Sequence, residues 1–219
     1  DVPGGVLIIN SNNTGAVYTD GTTAADPTLS YVGGLVGYHS GEGNSASEIN
    51  NCYNIGAVTA PGNYVGGLVG YNEALVDPSD PTVPGDVLIT QSHNTGVISG
   101  GSFVGGLAGY SEGNITNSYN DITGQVNGDS WVGGLVGHNY YTGSIANSFN
   151  EGSVNGTGIG TIIGGLVGYN YGSIANSYST GSVTGTNDVG GLVGYNGTDA
   201  AAGIIRYSYS TGQVNSAGS

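Results

Sequence analysis

The chain has 219 residues, of which 45 are glycine and only 7% are charged; 15 charges are acidic and one, Arg206, is basic, for a net charge of -14. A single basic residue cannot supply the Lys and Arg clusters that neutralise phosphates, which excludes nucleic acid and an anionic membrane surface as partners. No apolar run approaches the ~20 residues of a membrane span, so no membrane insertion is expected. Disorder is excluded as well, because 37% of the residues are hydrophobic and recur at fixed intervals.

The chain opens on Asp-Val-Pro-Gly-Gly. That start lacks Met, a basic flank and an apolar stretch, as expected of a processed protein or a piece of a longer one. The first element runs from Ile8 to Val17 and follows the pattern Ile-x-Asn-Ser-Tyr-Asn-x-Gly-x-Val, with Asn12 at the Tyr position. A long connection, 18–31, leads to a second element, Val-Gly-Gly-Leu-Val-Gly-Tyr, built on Gly33 and Gly34. The two elements then alternate. The glycine element returns at Gly66 and Gly67, Gly105 and Gly106, Gly133 and Gly134, Gly164 and Gly165, and Gly190 and Gly191. The asparagine element restarts at Ile49, Ile89, Ile115, Ile145, Ile174 and Ile205. Each copy closes on a β-branched residue two positions after a glycine: Val17, Val58, Ile98, Val126, Val154, Val183 and Val214. A second long connection, 73–87, follows the second glycine element.

Internal repetition at this scale points to stacked coils. Glycine pairs disfavour helix, β-branched and aromatic residues favour strand, and the insertions fall in two connection sites while element lengths hold, apart from extra length around Asp121–Thr123. Alternation would place Ile145, Asn147 and Phe149 on one face and Ala146 and Ser148 on the other. The expected fold is all-β: a β-solenoid, parallel β-helix-like, of about six and a half coils with two or three strands each. Residues 1–219 would form a single repeat-array domain, roughly 30 Å long at about 4.8 Å per coil. A propeller blade needs ~40–50 residues, more than the 26 that separate the last two glycine pairs.

Equivalent positions in such a stack form ladders. Three are aromatic: Tyr38, Tyr71, Tyr110, His138, Tyr169 and Tyr195 after the glycine element; Tyr31, Tyr64, Phe103 and Trp131 before it; and Tyr53, His93, Tyr119, Phe149, Tyr178 and Tyr209 in the asparagine element. At least one of these is expected in the core, and one facing solvent would offer flat rings to a ligand. The first is the candidate binding ladder. Asn10, Asn51, Gln91, Asn117, Asn147 and Asn176, ending at Tyr207, would be either a buried amide ladder or a column of bends. Cys52, the single cysteine, excludes an internal disulfide and reads as a stand-in for serine.

Chemistry is sparse. The histidines, His39, His93 and His138, lie in no His-Glu-x-x-His motif, and His93 and His138 read as ring-for-ring replacements in the ladders. The acids are scattered over connections rather than paired for glycoside hydrolysis, and the glycines lack the ending of a phosphate loop. No catalytic residue and no cofactor are expected, and the chain does not read as an enzyme. Asp77, Asp80 and Asp86 in the second long connection are a candidate calcium site, since oxygen-rich loops suit a hard cation. The Gly pairs have a steric reading: tight bends and close backbone approach.

The Gly-Gly-Leu-Val-Gly core resembles the bacterial GLUG repeat, with Ala108 and His138 as mild departures. That resemblance implies a repeat region like those of large surface adhesins and of the non-catalytic parts of some IgA-specific metallopeptidases. The expected function is a structural or adhesive module of a secreted or cell-surface bacterial protein, acting as spacer and display surface. One alternative is a subunit of a self-assembling extracellular fibre, because the array begins and ends on an asparagine element and open coil ends pair readily. Another is carbohydrate binding through an exposed aromatic ladder. Expected partners are therefore a second coil end, a glycan or a host or cell-surface protein.

Overall fold

Each coil is laid down by five short strands. The computed structural model describes residues 5–20, 30–42, 46–77, 80–197 and 203–216, with the backbone alone at 77 and 80–84. In a central coil the strands are Ser102–Gly105, Ala108–Ser111, Asn114–Thr116, Tyr119–Asn120 and Gln125–Gly128. Each pairs in parallel with its counterparts in the coils on either side, which builds three seven-stranded and two six-stranded stacks, one of the latter gaining Asp80–Pro84 as an antiparallel seventh strand. The chain is a parallel β-solenoid. Its register follows the sequence repeat: Ile8, Ile49, Ile89, Ile115, Ile145, Ile174 and Ile205 are direct partners, and so are the closing β-branched residues from Val17 to Val214.

Five strands replace the expected two or three because each element bends. The glycine element folds over at its Gly-Leu step. A Cβ on Gly105 would lie 2.1 Å from the Ala108 carbonyl oxygen, and one on Gly106 would lie 2.2 Å from the Gly134 carbonyl oxygen of the next coil. Only glycine lets these backbones approach so closely, which supports the steric reading of the pairs. The asparagine element breaks at a left-handed residue: Asn10, Asn51, Gln91, Asn117, Asn147, Asn176 and Tyr207 all have φ of 50–53°. Asparagine accepts this conformation more readily than most residues.

That corner corrects the expected alternation. Asn147 is an exposed bend, and the side chains turned inward are Ile145, Ser148 and Asn150. Of the two readings left open for the asparagine column, the bend is the one observed. The buried amide ladder lies three residues further on. Asn13 donates to Asn54 at 2.8 Å, Asn54 to Asn94 at 2.7 Å, Asn94 to Asn120 at 2.8 Å and Asn120 to Asn150 at 2.8 Å. In Asn13, Asn54, Asn94 and Asn150 the second amide hydrogen goes to the carbonyl oxygen two residues on, as from Asn94 to Gly96 at 2.9 Å, which satisfies those donors. Beside it runs a serine ladder in which each Oγ accepts from the backbone N–H of the preceding coil, from Ser208 back to Ser92. Ser92 accepts from Cys52 N at 3.1 Å. Cys52, fully buried, does occupy a serine position.

The hydrophobic core is aliphatic. One column stacks Ile49, Leu68, Ile89, Leu107, Ile115, Leu135, Ile145, Leu166 and Ile174, and a second stacks valines and isoleucines from Val58 to Val183. No aromatic side chain belongs to either column, contrary to the expectation that one ladder would be core. The interior of a coil is narrow, and Leu, Ile and Val fill it where a ring would overpack it.

Of the connection 18–31, residues 21–29 lie outside the described residues. The connection 73–87 is largely strand: Val69–Asp77 runs past the coil and returns antiparallel as Asp80–Pro84 before Asp86–Thr90 rejoins the stack.

Candidate functional site

The aromatic ladders all stand on the outer surface, and they differ. In the asparagine element the rings of Tyr53, His93, Tyr119, Phe149, Tyr178 and Tyr209 stack one per coil, with centroids 4.9–5.3 Å apart and interplanar angles of 1–12°. This strip is flat and continuous.

The face formed by the glycine element is double. Tyr38, Tyr71, Tyr110, His138, Tyr169 and Tyr195 are direct strand partners. Next to them, Tyr64, Phe103 and Trp131 project from left-handed corners with φ of 51–56°. Glycine makes the approach of the two rows feasible: a Cβ on Gly109 would lie 2.6 Å from the Phe103 carbonyl oxygen. Tyr71 stacks on Tyr110 at 4.5 Å and 11°. At His138 the order changes. Tyr110 meets it edge-on at 71° and Tyr169 does so at 63°.

The second row stops one coil further on. Phe103 packs on Trp131 at 4.4 Å, but the following coils carry Ile162 and Asp188 beside the partnered Ile163 and Val189. The break leaves a basin of about 300 Å³ lined by Phe103, Tyr110, Trp131, His138, Tyr169 and Tyr171. Tyr171 bonds Tyr169, hydroxyl to hydroxyl, at 2.7 Å. Burial pushes the His138 imidazole down to about 4, so the ring is neutral near pH 7. Burial also raises the Tyr71 and Tyr110 phenols, with neighbouring Glu112 adding to both shifts. Glu112 accepts from the Tyr71 hydroxyl at 3.3 Å. Its own carboxyl is raised by burial and by the charge of Glu73.

The candidate ladder is thus one contiguous surface, with Tyr110 the most buried at 9% exposure and Tyr38 the most open at 44%. Tyr171, Tyr140 and Tyr141 join it, although sequence reading passed over them; the visible signal was aromatic residues in the connections just after two glycine elements. His93 and His138 replace rings in the ladders. His39 does not: it is buried, with Nδ1 2.8 Å from Asn72 Oδ1, and takes a place in a second inner polar column. Of the proposed calcium ligands, Asp77 and Asp80 are partners on the two antiparallel strands. The side chains of Asp77 and Asp80 lie outside the described residues, and Asp86 is exposed. Among the described residues no group of three or more His, Cys, Asp or Glu could hold a metal ion, and no helix is long and apolar enough to cross a membrane.

The family model for the GLUG motif matches residues 28–59, 130–155, 159–184 and 185–215, just over half of the chain. The coils through Gly66 and Gly105 lie outside those stretches and still stack in register. Among solved structures, the crystal structure at 1.30 Å of a candidate immunoglobulin A1 protease from Bacteroides ovatus matches with a TM-score of 0.57 and 22% identity. The match covers 81% of this chain and 59% of that one. A likeness at that identity concerns the fold. Comparison with curated proteins gives no match.

Proposed function

This chain belongs to the GLUG-motif family, and from that premise we propose that it is the spacer and display region of a secreted or cell-surface bacterial protein. The observation that carries the reading is the unbroken inner stacking. Aliphatic, amide and serine ladders tie each coil to the next, while ring, loop and hairpin differences are left on the outside. A column of this kind transmits load along its length and presents its surface at a fixed spacing. Single-molecule stretching from the two ends tests the spacer role. The column should hold as one mechanical unit and yield abruptly; gradual extension at low force would remove the reading. A binding screen against glycans and host cell surfaces tests the display role.

A second reading, end-to-end assembly, is favoured by the apolar edges of the outermost described coils. Leu7 is 62% exposed at one end and Ile204 is 45% exposed at the other. These edges would accept a further coil, of this chain or of another molecule. Sedimentation at rising concentration distinguishes the two: a mass that stays monomeric sinks the fibre.

A further inference from the structure

We propose that the basin beside Trp131 binds an organic cation of the trimethylammonium type. Six rings, Phe103, Tyr110, Trp131, His138, Tyr169 and Tyr171, line it from three coils. Aromatic faces carry negative partial charge and attract a soft, weakly hydrated cation, most strongly when water is displaced. The volume of about 300 Å³ is at the small end of ligand sites, suited to a compact head group rather than an extended chain.

Charge decides between a cation and other occupants. The chain carries -14, and its one basic side chain, Arg206, stands in the asparagine sheet paired with Ala175, away from this face. His138 is neutral near pH 7 because of its burial, so no wall of the basin repels a positive charge. Glu112, bonded to Tyr71, acts electrostatically on Tyr110 of the basin. A sugar fits less well. Its hydroxyls would enter a lining made almost wholly of ring carbon, and unmatched polar groups are costly to bury. The flat strip from Tyr53 to Tyr209 has ring stacking as close but no gap between rings, so it offers a cation no enclosure.

The inference is independent of the spacer reading, since a column that binds nothing remains a spacer. Trp131 is the only tryptophan, so intrinsic fluorescence of the unmodified chain reports on the basin directly. Choline should change the emission saturably in the millimolar range. It should bind at least roughly tenfold more tightly than its uncharged isostere 3,3-dimethylbutan-1-ol. Equal binding of the isostere, a preference for glucose, or no saturable response to choline would each overturn the proposal. Phe103→Leu and Tyr169→Leu should weaken choline binding several-fold, with Tyr178→Leu in the flat strip leaving it unchanged and far-UV circular dichroism confirming the fold. Equal losses in all three variants would also count against the site. The choline-to-isostere ratio in the unmodified chain decides the matter even if a variant fails to fold.

Discussion

The inner wall of the solenoid and its outer rim carry the same residue types in parallel columns and use them for opposite purposes. Asn117 and Asn120 sit three positions apart in one copy. Asn117 is exposed and supplies a left-handed bend with φ of 51°. Asn120 is fully buried, accepts from Asn94 and donates to Asn150, both at 2.8 Å. Glycine divides in the same way: Gly106 has no room for a methyl group, whereas a Cβ on Gly160 would meet nothing within 4 Å. An inner residue must fit the copies above and below it, so divergence there is costly. An outer residue answers mainly to solvent, and the aromatic row can stop at Trp131 without breaking a coil.

The largest test of this division is Gly106→Ala. The added methyl group would collide with the Gly134 carbonyl oxygen and the Asn120 side chain, and both are fixed by neighbouring coils. A loss of more than about 4 kcal/mol is expected, in the range diagnostic of core disruption. Gly160→Ala should cost only about 1–2 kcal/mol, through its φ of 76°. Urea unfolding of the two variants measures both, and similar losses would erase the distinction between wall and rim.

Next in size is the amide pair. Asn120→Ala strands the Asn94 donor and the Asn150 acceptor in the interior and leaves a void, for about 3 kcal/mol. Asn117→Ala loses only the easy left-handed bend, for about 1 kcal/mol. A mutant cycle between Asn94 and Asn120 should show strong coupling, and one between Asn117 and Asn120 little.

Much of this fold was legible in the sequence, and the limits are physical. The opening isoleucines and the Gly-x-Val closures keep a nearly constant separation, so they announced the register that pairs Ile8 through Ile205. Bends were announced only as one of two options. Asn117 occupies a position that alternation treats as ordinary strand, and hydrophobic patterning carries no sign of φ. For the same reason the column through Asn117 stayed open between ladder and bend, and the true ladder through Asn120 went unnoticed, because one letter serves both the corner and the ladder. The expectation of an aromatic core failed because the sequence shows that rings recur but not how narrow the coil is. Of the candidate site, the ladder from Tyr38 to Tyr195 could be read off directly. The basin could not, since it depends on the tilt at His138 and on Tyr171 coming back over Tyr169.

His138 offers a way to sharpen the comparison through pH. Its folded value, about 4, lies below the ordinary 6.5 because burial disfavours the charged ring. Between those values the unfolded chain binds the proton more readily, so stability falls as pH drops from about 6.5 towards 4. The upper bound is about 3.5 kcal/mol at about 1.4 kcal/mol per unit. His39 is shifted in the same direction by burial. Glu73 and Glu112 are shifted upward and oppose the loss at the acid end. Replacing His138 by Phe should flatten the dependence of the urea midpoint between pH 6.5 and 4.5; an unchanged slope would assign it to His39 and His93, which burial shifts in the same direction.

The smallest effect belongs to the flat strip. Phe149 lies between Tyr119 and Tyr178 with both centroids 4.9 Å away and interplanar angles of 5° and 1°. Because the ring is half-buried, Phe149→Leu keeps much of the covered area and removes mainly the two stacking contacts. Aromatic pairs contribute about 0.5–1.5 kcal/mol beyond burial, and partial hydration places the combined loss near 1 kcal/mol. Phe149→Tyr should be neutral, because tyrosine already fills most copies of that position. A loss for Phe149→Leu as large as that for Asn120→Ala would mean that the outer ladder binds the coils together as firmly as the inner one. The rim would then be part of the column's strength, and its rings could not be varied freely for binding.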